Sequence, residues 1–266
     1  MSGRQLDLFS AGGVAAEDHV VTPAERNQLV PGNLDDAELI TALPVVHLAD
    51  CLALCAEAGR RRLIAAIPAL EALCRRFKGF GLERAVPEQI AALRCFAEMG
   101  APEAAAAVER IIVNGVVQGP GLLDAVLAAV RLGCFLPVAI SLVLLRHDDA
   151  QVRSVACRCV RPHQQVVPLL VDLLDDLHRP VVVAAACALG RAGRNEAHPI
   201  LTHLLREDPT EEVIDAVSSV ADEDCIVQLG RIARSNPGLA GAANDALNAI
   251  DNPRAKAVAA AVHRTA

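Results

Sequence analysis

His47, Cys51 and Cys55 recur at four-residue spacing, which on a helix sets an imidazole and two thiols on one face, donors that suit a soft metal. The neighbours Val46, Leu48, Leu52 and Leu54 make that stretch apolar, and no second ligand pair follows. The stripe therefore reads as core, and no metal or other cofactor is assigned. Cys157 and Cys159 lie two apart, so a helix points them to different faces and they are no redox pair. His198 and His203, five apart, have the wrong spacing for zinc and read as a helix N-terminus and a solvated face. Two acidic runs, Asp172 with Asp175 and Asp176, and Asp222 with Glu223 and Asp224, sit where helices end or turn. Catalytic carboxylates need a pocket; turns rarely supply one, and both runs read as solvated surface.

A basic cluster comprises Arg60, Arg61, Arg62, Arg75, Arg76 and Lys78, with Arg84 close behind. The first three are expected near the start of one helix. Arg75, Arg76 and Lys78 are expected near its end, where cations suit the helix dipole. Only Phe77 and Phe80 offer stacking faces, too few for a nucleic-acid track. The patch is kept as a candidate surface without a nucleic-acid partner. At the other extreme of the chain, Gln5-Leu6-Asp7-Leu8-Phe9 places a polar hook before two adjacent apolar anchors. In an extended segment, such a peptide fills a hydrophobic pocket with Leu8 and Phe9 and hydrogen-bonds at its rim through Gln5.

These residues need elements to hold them, and the composition says which. Of the 266 residues, 53% are hydrophobic but only 2% aromatic, with no Trp or Tyr, so Ala, Leu and Val must fill the interior. That suits closely packed helices. A formal charge of −7 gives no general attraction to nucleic acid or anionic membrane. The N-terminus lacks a basic region followed by an apolar run, so the nine cysteines are expected as reduced, buried cytoplasmic thiols. The most apolar stretch, Leu132 to Leu145, is too short for a bilayer of about 30 Å and is expected as one buried helix. No membrane partner follows.

Residues 1–33 are rich in Gly, Pro and polar residues and are expected as a flexible arm, with a solenoid over 34–266. The solenoid shows as a repeat of 31 residues, because Pro137, Pro168 and Pro199 are that far apart. Apolar pairs follow each at one offset: Leu142-Val143, Leu173-Leu174 and Leu204-Leu205. Proline suits a first helical turn, so each is expected to open the second helix of a hairpin. First helices repeat as Val152 to Cys157, Val182 to Cys187 and Val213 to Ser218, with a degenerate copy over Ala240 to Leu247. Cys157 and Cys187 thus share one packing slot. Weaker copies are a second helix from Ile67 and a first helix over Pro87 to Met99.

Asp149-x-x-Val152-Arg153-x-x-Ala156, followed by Pro168-x-Leu170-x-x-Leu173-Leu174, resembles the HEAT repeat in its short form. That form is shared by phycobilisome-lyase-like proteins and many bacterial scaffolds. The resemblance implies an all-α, right-handed α-solenoid of six to eight helical hairpins, with a protein partner in its groove. Val183 and Ile214 stand in the slot of Arg153, so the buried polar ladder of the family is incomplete.

Gln5 to Phe9 resembles the five-residue motif by which bacterial proteins dock on the replicative sliding clamp, and all five positions fit. The competing reading has Leu6, Leu8 and Phe9 folding back to cap the solenoid. Together these readings imply a non-enzymatic interaction scaffold, with clamp docking through the arm. The alternative is a bilin-lyase-like or other modifying enzyme on the same scaffold. DNA glycosylases share the fold but rely on aromatic residues around an extruded base, which the chain lacks.

Overall fold

The computed structural model describes residues 30–263. Among these, fifteen α-helices follow one another, and the only β-type pairing is a single bridge between Leu136 and Val160. A short helix α1 (Asp36–Ala42) is opened by a capping box. The Glu38 N–H donates to Asp35 Oδ1 at 2.8 Å, and Asp35 N–H donates to Glu38 Oε2 at 2.9 Å. Seven hairpins follow: α2 (Leu48–Arg60) with α3 (Ile67–Arg76), α4 (Pro87–Met99) with α5 (Pro102–Val113), and α6 (Gly121–Arg131) with α7 (Val138–Leu144). Next come α8 (Ala150–Ala156) with α9 (Val167–Asp172), α10 (Arg179–Arg191) with α11 (His198–Glu207), α12 (Glu211–Val217) with α13 (Glu223–Ser235), and α14 (Ala240–Ala249) with α15 (Pro253–His263).

Each first helix packs on the next, from α2 through α4, α6, α8, α10 and α12 to α14. This is the quasi-one-dimensional stacking of an α-solenoid, in which a repeat buries its apolar face only against its neighbours. The expected all-α solenoid is therefore the observed fold, and seven hairpins fall within the expected six to eight. The core is a continuous run of Leu, Val, Ala, Ile and Cys, in which Phe96 is the one fully buried aromatic side chain among the described residues. All nine cysteines are buried and free. Cys157, the C-cap of α8, and Cys187, within α10, are both buried, and burial pushes both thiols up to about 12.

Prolines punctuate the repeats as their stereochemistry requires. Pro68, Pro168 and Pro199 lie in the first turns of α3, α9 and α11. Pro137 differs: it is the N-cap of α7, with ψ 147°, so relative to its proline that helix starts two residues later than the others. The cause lies next door, where the Leu136 N–H donates to the Cys159 carbonyl at 2.9 Å and holds the chain extended.

The structure corrects two expectations. Leu132 to Leu145 is not one helix. Gly133, at φ 63°, turns the chain after α6, Phe135 is exposed, and α7 begins only at Val138. Arg60, Arg61 and Arg62 close α2 instead of opening the next helix, with Arg61 as the C-cap and Arg62 at φ 50° in the turn beyond. That placement satisfies the same dipole rule at the opposite helix end. The first described turn is a 3₁₀ turn over Pro31–Asn33. The Arg61 guanidinium ties it down by donating to the carbonyls of Pro31 at 3.3 Å and Leu34 at 2.9 Å.

Candidate binding surfaces

The face made by the first helices carries three grooves in succession. Between α4 and α6 the lining includes Arg94, Asp124, Leu127 and Arg131. A groove of about 480 Å³ then opens across α6, α8 and the start of α10, lined by Leu123, Leu127, Ala150, Val155 and Pro180. Ser154 also lines it, but its hydroxyl already donates to the Pro180 carbonyl at 3.0 Å. Leu127 is 39% exposed, so an apolar side chain faces solvent where a partner can cover it. The third groove, between α12 and α14, is lined by Glu211, Asp215, Ser218 and Asp245, with no cation among its lining. Along one face the chemistry thus runs from two arginines with one aspartate, through an apolar centre, to three carboxylates.

The basic residues singled out in the sequence do not form a free cationic patch. Arg60 and Arg61 both hold Glu57, at 2.6 and 2.7 Å, and Arg61 also reaches Asp36 at 2.8 Å. Their hydrogen bonds hold the Glu57 carboxyl down at about 2. Arg75 pairs with the buried Glu71 at 2.7 Å, and Arg110 joins the same carboxylate from α5. Arg76 donates to the Val46 carbonyl and lies over the Phe77 ring. Arg62 and Lys78, the other two of the six, are exposed.

His47 is the exposed N-cap residue of α2, whereas Cys51 and Cys55 are buried, with their sulfurs 4.0 Å apart. The three do not converge, and only the two cysteines belong to the core: Leu48 and Leu52, expected beside them there, are exposed like His47. His203 is exposed as expected. The acidic runs are not simply solvated. The Asp176 side chain is only 9% exposed and is gripped by Arg153, while Asp172 and Asp175 remain on the surface.

One constellation escaped the sequence reading altogether. Asp222 is the N-cap of α13, and its Oδ1 accepts the Cys225 N–H at 2.8 Å. Its Oδ2 lies 3.2 Å from His198 Nε2, which comes from the first turn of α11. Cys225 Sγ is 4.0 Å from that same nitrogen, and the Thr202 hydroxyl stands 3.5 Å from both. The capping N–H, together with the neighbouring imidazole, holds the Asp222 carboxyl below its usual range; burial pushes the Cys225 thiol up. Glu223 and Asp224, the rest of the acidic run, turn away to Arg254 and Arg206. Only the Asp222-x-x-Cys225 capping spacing was visible in sequence. The histidine arrives from the preceding repeat, through tertiary packing.

Gln5, Leu6, Asp7, Leu8 and Phe9 lie outside the described residues. No helix among the described residues is long and apolar enough to cross a membrane.

Comparison with known proteins agrees with the architecture. Residues 139–222 match the family model for HEAT repeats, which covers α7 through the start of α13. Among solved structures, the chain is similar to the X-ray structure of YibA from Escherichia coli, with a TM-score of 0.50 and 12% identity. The alignment covers 91% of this chain and 100% of that one. At that identity the likeness speaks for the fold alone. No curated protein matches the sequence. The chain is thus an α-solenoid whose residues 139–222 match HEAT repeats.

Proposed function

We propose that this chain is a non-enzymatic protein-interaction scaffold that holds a partner segment along the face of its first helices. The observation that carries this reading is the succession of grooves on that face, with exposed Leu127 and half-buried Leu123 and Val155 at its centre. An α-solenoid offers an extended surface of this kind because each repeat adds a helix to the same face. The matching occupant is a segment with an apolar middle and a basic end, the basic end lying on Glu211, Asp215 and Asp245. Gln5–Phe9 supplies a second contact in this reading, tethering the scaffold to the bacterial sliding clamp; its support is the fit of all five residues to that motif.

The test is comparative capture from the native host. Full-length protein, a Leu127→Glu/Val155→Glu variant and an Asp215→Lys/Asp245→Lys variant are each cross-linked to their partners, with helical content checked by circular dichroism. Groove binding predicts one partner set lost or weakened in both variants while the fold persists. An identical set in all three abandons the groove.

A further inference from the structure

We propose that His198, Asp222 and Cys225 form a zinc site that staples the second helices of two consecutive repeats. The three donor atoms, an imidazole nitrogen, a carboxylate oxygen and a thiol sulfur, lie within 4.8 Å of one another and come from α11 and the start of α13. Zinc has no geometric preference of its own beyond a common tetrahedral habit, and it accepts this mixed donor set. Typical zinc bond lengths place tetrahedral sulfur and nitrogen ligands about 3.6 Å apart, and nitrogen and oxygen ligands about 3.3 Å apart. The separations here are 4.0 Å for Cys225 Sγ to His198 Nε2 and 3.2 Å for His198 Nε2 to Asp222 Oδ2. These two pairs need shifts of a few tenths of an ångström, and the third, Cys225 Sγ to the Asp222 carboxylate, lies within 4.8 Å.

The surroundings fit the same purpose. Asp222 Oδ1 is fixed by the Cys225 N–H, which leaves Oδ2 as the oxygen turned toward the imidazole. An outer hydrogen bond of that sort commonly orients a ligating carboxylate. The Thr202 hydroxyl, 3.5 Å from Cys225 Sγ, is placed to donate to the thiolate. As the sulfur–zinc bond forms, the thiol proton passes to solvent. Thiolate and carboxylate then carry two negative charges, matched by a divalent cation, while the other two acids of the run are already answered by arginines. With three protein ligands, the fourth position falls to water on the side where His198 and Asp222 meet solvent.

Cobalt(II) and zinc titrations of the full-length, chelator-treated protein test the site. Cobalt should bind at one equivalent, with visible bands of a tetrahedral centre and a thiolate charge-transfer band, and zinc should displace it. Cys225→Ser should abolish the charge-transfer band, while Cys51→Ser, which alters the close Cys51–Cys55 thiol pair, should leave it intact. His198→Ala and Asp222→Asn should each weaken binding about 100-fold, since even outer-shell partners are worth about 10–100-fold. Asparagine still caps the helix, so the Asp222 variant separates lost ligation from lost folding. Zinc should raise the melting temperature of the wild type and not that of Asp222→Asn. The proposal is overturned by absence of a stoichiometric cobalt spectrum, by a charge-transfer band that survives in Cys225→Ser, or by unchanged affinity in His198→Ala and Asp222→Asn. The last pair decides the matter if Cys225→Ser does not fold.

Discussion

Arg153 on α8 and Asp176 ahead of α10 form a fork-to-fork ion pair between consecutive repeats, Nε to Oδ2 at 2.9 Å and Nη2 to Oδ1 at 3.1 Å. Both side chains are largely buried, at 14% and 9% exposure. The remaining guanidinium nitrogen, Nη1, donates to the carbonyls of His147 at 2.7 Å and Asp148 at 2.9 Å, binding the turn before α8. Val183 and Ile214 fill the equivalent slots of the next two repeats, so this rung is not repeated there.

Arg153→Met should leave the largely buried Asp176 with only the His178 N–H and imidazole as partners. Losing one partner of a buried pair costs about 3–5 kcal/mol, and the partial exposure here brings the expectation to about 2–3 kcal/mol. Arg179→Met, which breaks the exposed pair with Asp208, should cost under about 0.5 kcal/mol. Urea unfolding of the two variants compares them directly. Equal losses would mean that the rung contributes no more than a surface contact.

The same rung sets an acid dependence. Burial pushes the Asp176 carboxyl up, but the His178 N–H and the Arg153 guanidinium outweigh it and hold the carboxyl below its ordinary range. A carboxyl depressed in the folded state stabilises fully above its unfolded value of about 3.9 and loses that contribution as pH falls through the folded value. In a His178→Gln background, which removes the imidazole's own titration, the stability lost on Asp176→Asn should stay level from about pH 7 to pH 5. It should shrink only below about pH 4. A loss that vanishes already between pH 7 and 5 contradicts the assignment.

Much of the fold was legible because a repeat writes its packing rules several times over. Pro168 and Pro199 advertised their helix starts, and the repeat positions of Cys157 and Cys187 advertised their burial. Pro87 to Met99 was read as a helix with the bounds that α4 has. What stayed hidden depends on contacts between repeats. Nothing local in Leu132 to Leu145 announces the Leu136–Cys159 hydrogen bond that holds the chain extended before α7. Asp176 looks like any surface acid until Arg153 arrives from 23 residues away. His198 and Cys225, separated by 27 residues, meet only because α11 packs on α13.

Two helical glycines test that packing from opposite sides. A Cβ on Gly190 would fall 2.5 Å from Leu201 Cδ1 and 2.7 Å from the Ala216 carbonyl oxygen, so α10 needs a residue without a side chain where α11 and α12 close on it. Gly190→Ala should cost about 1–3 kcal/mol through overpacking. Gly241, on the exposed side of α14, has nothing within 4 Å of the same position. Gly241→Ala should stabilise by about 0.5–1 kcal/mol by restricting the unfolded chain and improving helix propensity. Thermal unfolding of the two proteins should show shifts of opposite sign. A shared sign would discredit the close approach of α10 to its neighbours.

The clamp tether makes the sharpest claim on the shortest segment. If Gln5 to Phe9 docks on the sliding clamp, binding should depend on Leu8 and Phe9 and hardly at all on the solenoid. A peptide of residues 1–12 should then bind the clamp nearly as well as the full chain in a fluorescence titration. Replacing Leu8 and Phe9 with Ala removes two apolar anchors, each worth about 1.5–3 kcal/mol when fully buried. Affinity should fall by about 100-fold or more, because 1.4 kcal/mol is a factor of ten. The melting temperature of the doubly substituted chain distinguishes the two readings of this peptide. An unchanged value goes with docking through a segment that contributes nothing to the core. A lowered value, with no clamp binding by the wild-type peptide, means that Leu8 and Phe9 cap the solenoid, and the link to replication then falls.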